Sequence, residues 1–236
     1  MRFEWATRSD VGQVRDQNED AVWPAEDGSS DEAISIGVAD GMGGHAGGEV
    51  ASEVALDTAM TVGGDPNVRI QAANLAVVDA AKDRPRLRGM GTTLTIAHIE
   101  PDGTVELGHV GDSRAYLLRD GSLDQITTDH SYVAQLVEAG TLTPEEAEEH
   151  PYRSVLTRAV GLDPVIEIDS PRLVLQPGDR LLLCSDGLTA MVDDEALSEI
   201  LGSEDSVGAA ADALVAAANE AGGADNITVV ILDVTE

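Results

Sequence analysis

The sequence predicts an α+β domain in which antiparallel sheets pack in layers against paired helices. Short runs of β-branched and aliphatic residues occur in blocks, mostly bounded by Gly, Asp or Pro, and long Ala-rich stretches with helical spacing follow one another in pairs. Blocks of this kind are typical of α+β folds, whereas a parallel α/β sheet would alternate strand and helix. The 236 residues, 42% of them hydrophobic, suffice for one substantial core.

The elements can be placed along the chain from their periodicity. The runs predicted as strands are Ala33–Ala39, Thr92–Ile99, Thr104–Val110, Ala115–Arg119, Arg180–Cys184 and Ile227–Val234. The stretches predicted as helices are Glu49–Met60, Val68–Lys82, Asp193–Leu201 and Ser206–Glu220.

The segment His130–Arg158 departs from this pattern. It contains a helix-like run, Ser131–Ala139, followed by a cluster of glutamates between positions 145 and 149. We interpret the segment as a mobile insertion above a site, with a long solvated connection as the alternative.

Charge restricts the possible partners. Lys and Arg total 14 against 44 Asp and Glu, which gives a formal net charge of −30. A surface of this kind repels nucleic acid and anionic membranes, so we expect neither as a partner. The acidic excess fits a salty cytoplasm, and acidic proteins also arise without one. Any site that handles phosphate in this chain has to be locally cationic, through arginine or bound metal.

The sequence also indicates a compartment and a size. Its longest apolar runs fall short of the roughly 20 residues that a membrane-spanning helix needs, and the N-terminal residues are too charged for a signal peptide. Cys184, the lone cysteine, cannot form an internal disulfide. We therefore expect one cytoplasmic domain over residues 1–236, monomeric by default.

Four aspartates share one local pattern, in which an apolar β-type run adjoins an Asp and a small or turn-forming residue. They are Asp40 in IGVADGMGG, Asp112 in GHVGDSRAYL, Asp186 in LLLCSDGL and Asp225 in GGADNITVV. Each alone is typical of a turn. Strand ends, however, gather at one edge of a layered fold, and carboxylates brought together there repel one another unless cations are present. Oxygen ligands in a chain with five histidines favour Mg²⁺ or Mn²⁺ over zinc.

Further polar residues extend this set. RDQNED supplies Arg15, Glu19 and Asp20. Arg15 can bind a phosphate through paired hydrogen bonds, and the alternative is a surface ion pair with Asp16 or Glu19.

A glycine-rich stretch follows Asp40. Because no Gly-Lys-Ser/Thr follows these glycines, they do not form a P-loop, and they allow the Gly41 carbonyl to serve as a metal ligand. His45 in the same stretch is either a proton donor or a residue that packs the loop.

Two other hydrolytic chemistries are less well supported. A cysteine-nucleophile phosphatase needs an arginine six residues after its cysteine, where Ala190 stands here. A Ser-His-Asp arrangement stays open, although the sequence has no Gly-x-Ser-x-Gly elbow.

Taken in order, RDQNED, VADGMGGHAGGE, GHVGDSRAYL, LLLCSDGL and ADNITVVIL resemble the motifs of bacterial-type metal-dependent serine/threonine protein phosphatases, the type 2C or PPM family. The resemblance runs from about residue 4 to residue 234. It implies a four-layer α-β-β-α sandwich, with two antiparallel sheets flanked by paired antiparallel helices, and a flap at about residues 130–158.

The resemblance also implies two core Mn²⁺ or Mg²⁺ ions. Asp40 would bridge them, the Gly41 carbonyl would bind one of them, and Asp186 and Asp225 would complete the shell of the other. A third, looser ion is implied at Asp112 and Asp186.

The remaining residues take supporting roles in this resemblance. Glu19 and Asp20 would hold metal-bound waters, and Arg15 would grip the substrate phosphate. Met42 stands where many eukaryotic members carry a histidine, so His45 or a metal-bound water would protonate the leaving group.

The implied activity is hydrolysis of phosphoserine and phosphothreonine in proteins by a metal-bridging hydroxide, in opposition to bacterial-type Ser/Thr kinases, which are themselves among the expected phosphoprotein partners. The alternative is a catalytically weak or dead member that binds phosphoproteins as a regulator. That alternative predicts missing ligands, yet all the acids of the implied site are present.

Overall fold

The computed structural model describes residues 1–43 and 47–236. Its strands, in chain order, are β1 (Arg2–Asp10), β2 (Asp20–Trp23), β3 (Gly28–Ser30), β4 (Ile34–Met42), β5 (Gly91–Thr92), β6 (Leu94–Ile99), β7 (Thr104–Val110), β8 (Arg114–Arg119), β9 (Ser122–Gln125), β10 (Arg172–Val174), β11 (Arg180–Cys184) and β12 (Ile227–Thr235). Its helices are α1 (Gly47–Thr61), α2 (Pro66–Ala81), α3 (Tyr132–Glu138), α4 (Pro144–Glu148), α5 (Asp186–Thr189), α6 (Asp194–Ser203) and α7 (Val207–Glu220).

The strands form two antiparallel sheets. Sheet A has the order β3-β1-β12-β11-β8-β9, and sheet B has the order β10-β7-β6-β4-β2, with β5 paired to the end of β4. Helices α1 and α2 pack on sheet B, and α6 and α7 pack on sheet A. The α+β class and the layered, antiparallel arrangement are therefore confirmed.

Alternating side chains build three apolar layers. In β11, Leu181 and Leu183 point between the two sheets, whereas Leu182 and Cys184 point toward α6 and α7. Strand β12 alternates in the same way over its length. Because successive side chains of a strand point to opposite faces, a strand buried on both faces reads as a continuous apolar run. This is why β11 and β12 are predictable from the sequence.

Polar caps fix where the helices begin. Asp65 accepts a hydrogen bond from the Val68 N–H at the start of α2, and Pro66 occupies the first turn. Asp193 and Ser206 cap α6 and α7 in the same way. These starts lie within one or two residues of the predicted ones.

The structure differs from the sequence prediction chiefly in the strands that were missed. Strand β1 pairs with β12 over all nine of its residues, yet charged residues interrupt its pattern, so its periodicity is weak. The shorter strands β2, β3, β9 and β10 were also missed. The predicted strand Thr92–Ile99 is divided between β5 and β6, and the glutamate cluster contains α4, whose start is a capping box made by Thr143 and Glu146.

Within the described part of the chain, no helix combines the length and the apolar character needed to cross a bilayer.

We expect Leu183→Ala to lower the free energy of unfolding by about 2–5 kcal/mol, because Leu183 is fully buried between the sheets and the truncation leaves a cavity. Urea denaturation followed by circular dichroism would measure this change. Leu75→Ala is the matched control, since Leu75 is 46% exposed on α2 and alanine favours a helix. A similar loss in both variants would contradict the assignment of Leu183 to the central layer.

Candidate metal centre

Two aspartates face each other across sheet B. Asp20 of β2 is paired directly with Asp40 of β4, and Cβ atoms in such pairs lie about 5 Å apart. The Asp40 N–H donates to Thr93 Oγ1 at 2.8 Å, and its carbonyl accepts from Thr92 Oγ1 at 2.8 Å. Ser185 Oγ donates to Asp20 Oδ2 at 2.7 Å. Asp40 is therefore fixed through its backbone, and Asp20 by a hydroxyl from the residue that directly follows β11.

Three more aspartates reach the same place from other connections. Asp186 begins α5 directly after β11, Asp225 precedes β12 by two residues, and Asp112 lies in the turn between β7 and β8. Gly111 makes that turn possible, since its φ is +114° and an added Cβ would lie 2.5 Å from Thr93 Cγ2. We call these five residues, Asp20, Asp40, Asp112, Asp186 and Asp225, the acidic cluster.

The proximity of these carboxyl groups shows in their pKa values. Burial, with the charges of Asp186 and Asp225, raises the pKa of Asp20 to about 7. Burial, with the charge of Asp186, raises the pKa of Asp112 to about 7. Burial and the neighbouring carboxylates Asp20, Asp186 and Asp112 raise the pKa of Asp40 well above its usual value. Negative charge at this place is therefore costly unless a cation offsets it.

Arg15 lies against the acidic cluster. Its Nη2 is 2.6 Å from Asp225 Oδ2, and half of its side chain remains exposed. A hydrogen bond and the charge of Asp225, helped by Glu19 and Asp40, raise the Arg15 pKa. The alternative interpretation from the sequence was an ion pair of Arg15 with Asp16 or Glu19. The structure shows an ion pair with Asp225 instead. Arg15 is a cationic group that can reach an anion held at the cluster.

Asn226, which the sequence analysis missed, holds the loop that carries Arg15. Its Nδ2 donates to the carbonyls of Val11, at 3.0 Å, and Gln17, at 2.9 Å, while its Oδ1 accepts from the Glu19 N–H at 2.8 Å. One buried amide thus fixes both ends of the loop. Asparagine disfavours strand structure, so its presence directly before an apolar strand was the one signal in the sequence that could have singled out Asn226.

Glu19 and Gly41 approach each other closely. The Glu19 carbonyl accepts from the Gly41 N–H at 3.1 Å and from Ser52 Oγ at 2.6 Å. A Cβ added to Gly48 would lie 2.6 Å from Glu19 Oε1 and 2.8 Å from the Gly41 carbonyl oxygen, so both oxygens border one small space. His45, the predicted proton donor, lies outside the described residues.

A histidine behind Asp112 was also missed. His130 Nδ1 lies 3.1 Å from the Gly111 N–H donor, and the His130 N–H donates to the Gly111 carbonyl at 2.7 Å. His130 Nε2 is 3.1 Å from Arg158 Nη1 and 3.3 Å from Asp169 Oδ2. These contacts join the turn that carries Asp112 to both ends of the segment His130–Arg158.

The structure does not support the two other hydrolytic chemistries. Cys184 is buried, and burial raises the pKa of its thiol to about 12, so it carries no nucleophilic thiolate at neutral pH. Ser35 Oγ is 2.9 Å from His98 Nδ1, and His98 Nε2 is 3.3 Å from Glu100. However, Arg69 also donates to Ser35 Oγ, and the group lies at the far end of β4 from the acidic cluster.

The acidic cluster fits a hard divalent cation in its chemistry. It offers carboxylate oxygens together with the Gly41 carbonyl, the donors that Mg²⁺ and Mn²⁺ prefer. Asp20 Oδ1 is buried and has no hydrogen-bond partner among residues 1–43 and 47–236. Within the same ranges, no three acidic, histidine or cysteine side chains already stand in a metal-binding arrangement. Asp225 is paired with Arg15, and Asp20 accepts from Ser185, so the contact of Arg15 with Asp225 would rearrange if Asp225 bound a cation.

Comparison with known proteins identifies the family. The model of the family described as Protein phosphatase 2C matches residues 13–214. The serine/threonine protein phosphatase PstP of Mycobacterium tuberculosis is 43% identical over 99% of this chain and 45% of its own length. The serine/threonine phosphatase stp of Listeria welshimeri is 40% identical over 96% of this chain and 94% of its own. A crystal structure of the PstP catalytic domain with two manganese ions has a TM-score of 0.88, with 39% identity over 100% of this chain and 99% of that one.

This chain belongs to the protein phosphatase 2C family. The match to solved members of the family also confirms the four-layer sandwich that the resemblance implied. The chain spans about half the length of PstP, the first of these relatives.

We expect the free energy of unfolding of the metal-free protein to fall as the pH rises from 5.5 to 8. In the Asp112→Asn variant this fall should be smaller by about 2 kcal/mol. The folded pKa of Asp112 lies near 7, above its unfolded value, so the folded state holds an extra proton at low pH and its advantage disappears as the pH rises through 7. Urea denaturation in excess chelator would measure both proteins at each pH.

Asp57→Asn is the control for this experiment, because Asp57 is exposed on α1, away from the cluster. It should keep the pH dependence of the parent. The titration of buried His109 and His130, which acts in the opposite direction, is common to all three proteins and cancels. Equal slopes for the parent and Asp112→Asn would show that Asp112 ionises normally.

Proposed function

We propose that this chain is a metal-dependent phosphoprotein phosphatase that hydrolyses phosphoserine and phosphothreonine. The observation that carries the proposal is the gathering of five carboxyl groups, two on strands of sheet B and three in connections to strands of sheet A, beside the half-exposed Arg15. Membership of the protein phosphatase 2C family supports it, and so do the two manganese ions found with the PstP catalytic domain.

The acidic cluster is the proposed site of two core Mn²⁺ or Mg²⁺ ions. Asp40 is the residue best placed to serve both, since it interacts with Asp20, Asp112 and Asp186 at once. The Gly41 carbonyl would bind one ion, and Asp186 with Asp225 would bind the other. When bound, such ions acidify water and neutralise the charge that develops on a phosphoryl group.

The residues around the cluster take supporting roles in this proposal. Glu19 and Asp20 would orient water at the cluster, and Asp112 with Asp186 would hold a third, weaker ion. Arg15 would release Asp225 and bind the phosphoryl oxygens, where its planar guanidinium can form paired hydrogen bonds. His45 remains the predicted proton donor to the departing serine or threonine oxygen.

The wider role is proposed on the same basis. Residues 1–236 would act as one catalytic domain, with residues 130–158 as a flap beside the site. The substrates would be phosphorylated proteins, including Ser/Thr kinases whose action the enzyme opposes, and it would work as a monomer in the cytoplasm.

We expect hydrolysis of a phosphothreonine peptide by the purified chain with Mn²⁺ or Mg²⁺, and none in excess chelator. The activity should survive a thiol-blocking reagent because Cys184 is buried and uncharged. Release of inorganic phosphate would be measured. A folded sample that stays inactive with every metal would favour the alternative of a catalytically dead phosphoprotein-binding member.

We expect Asp186→Asn to lower kcat/KM for that peptide by at least about 100-fold, since it removes a charged oxygen proposed to bind metal. Asp57→Asn is the control, and circular dichroism would verify that both variants are folded. Activity in Asp186→Asn within a few-fold of the parent would mean that the proposed ligand set is wrong.

We expect Arg15→Ala to raise KM for the peptide about 10–100-fold with a smaller change in kcat, because a charge-assisted hydrogen bond to phosphate is lost. The KM of Arg15→Lys should lie between those of the parent and Arg15→Ala, since lysine keeps the charge and loses the planar pair of donors. Steady-state kinetics at saturating Mn²⁺ would separate KM from kcat. An unchanged KM would reduce Arg15 to a partner of Asp225.

A further inference from the structure

Three arginines lie close together on the surface of this acidic chain. Arg84, Arg86 and Arg88 alternate in the connection that follows α2, which includes a short 3-10 turn at Pro85–Leu87. All three are exposed. We call residues 84–88 the arginine strip. It holds three of the 14 basic residues of a chain whose net charge is −30.

The guanidinium groups of the strip differ from most others in the molecule. Arg114, Arg119 and Arg180 each form ion pairs with an aspartate at 2.5–2.7 Å. None of the strip's three guanidinium groups forms an ion pair within the ranges 1–43 and 47–236. Although acids outnumber bases by 44 to 14, these three exposed guanidinium groups have no acidic partner among the described residues.

The C-terminal end of the strip, Arg88, lies close in sequence to residues that pair beside the acidic cluster. Directly after it, Gly91 pairs with Met42 and Thr92 pairs with Gly41. Thr92 also forms a bridge with Val160, just beyond the proposed flap. The four residues from Arg88 to Thr92, with one step across the sheet, place Arg88 within about 20 Å of the Gly41 backbone.

That distance suits a peptide in the site. An extended chain covers about 3.3 Å per residue, so about six residues span 20 Å, and the arginine side chains shorten the gap further. A phosphopeptide approaching a protein with a charge of −30 is repelled, and acidic residues beside its phosphate increase the repulsion. A cationic strip near the site reverses that effect locally.

We propose that the arginine strip is a docking surface for anionic groups of a phosphoprotein, within about six residues of the phosphoresidue being hydrolysed. The groups are carboxylates or second phosphoryl groups, both of which arginine binds through paired hydrogen bonds. The inference rests on the proposed phosphatase function and names the substrates that it favours, which are phosphosites in acidic or multiply phosphorylated segments.

The test compares the parent with the triple variant Arg84→Gln, Arg86→Gln, Arg88→Gln on four substrates at low and high salt. The substrates are para-nitrophenyl phosphate and phosphothreonine peptides with neutral, glutamate-rich or doubly phosphorylated flanks. We expect KM for the two anionic peptides to rise about 5–10-fold, from a few exposed ionic contacts. The neutral peptide, para-nitrophenyl phosphate and kcat should change little, and the difference should shrink in salt.

Two controls separate docking from other effects. Replacing the same three arginines with lysine keeps the charge and should preserve most of the preference for anionic peptides. Arg2→Gln with Arg172→Gln removes exposed positive charge elsewhere and should leave that preference unchanged.

Each contrary outcome has a definite meaning. Equal kinetics of the parent and the glutamine variant on all peptides would overturn the docking proposal while leaving the phosphatase proposal intact. Failure of the parent to hydrolyse para-nitrophenyl phosphate with Mn²⁺ would instead count against the phosphatase proposal. Binding to anionic vesicles that the glutamine variant loses, with unchanged peptide kinetics, would assign the strip to a membrane surface instead.

Discussion

Five carboxyl groups repel one another where the ends of the two sheets meet, and the rest of the fold has to overcome that repulsion. Asp20 and Asp40 are the sharpest case, because like charges placed directly across a strand pair destabilise a sheet. Burial, together with the neighbouring carboxylates, raises the pKa values of Asp20, Asp40, Asp112 and Asp186. A fold that tolerates this must be stabilised elsewhere.

The stabilisation and the positioning come from different parts of the molecule. Three apolar layers, one between the sheets and one under each helix pair, supply buried area far from the carboxylates. Uncharged polar groups then fix the charged ones in place: Ser185 holds Asp20, Thr93 holds Asp40, and Asn226 holds the loop of Arg15. Neutral donors and acceptors can be buried among carboxylates without adding to the charge.

Sequence patterns predicted the elements whose signal is local. Strands such as β11 contain a continuous apolar run, residues 181–184, because both faces are buried, and the helices α2, α6 and α7 carry recognisable caps. Strand β1 was missed because its residue pattern alone does not indicate a strand. Its extended structure depends on pairing with β12, which lies more than 200 residues away. Its cross-strand neighbours override its weak propensity.

The residues of the candidate site also fall into those with a local sequence signal and those without one. The motif aspartates could be named from the sequence because each stands beside an apolar run, and the structure gathers all of them. Asn226 and His130 act through hydrogen bonds to backbone groups distant in sequence, which no local pattern encodes. The same holds for the pairing of Arg15 with Asp225 in place of a closer neighbour.

The pairing of β1 with β12 has a consequence for synthesis on the ribosome. Sheet A places β12 between β1 and β11, so the interior of that sheet is incomplete until residues near 235 have emerged. Until then, Arg15 and Glu19 lack Asn226 and Asp225, the residues that orient them. The groups of the candidate site therefore come together only after β12 has emerged, in a step dominated by contacts between distant segments, and a nascent chain that ends before β12 carries no assembled site.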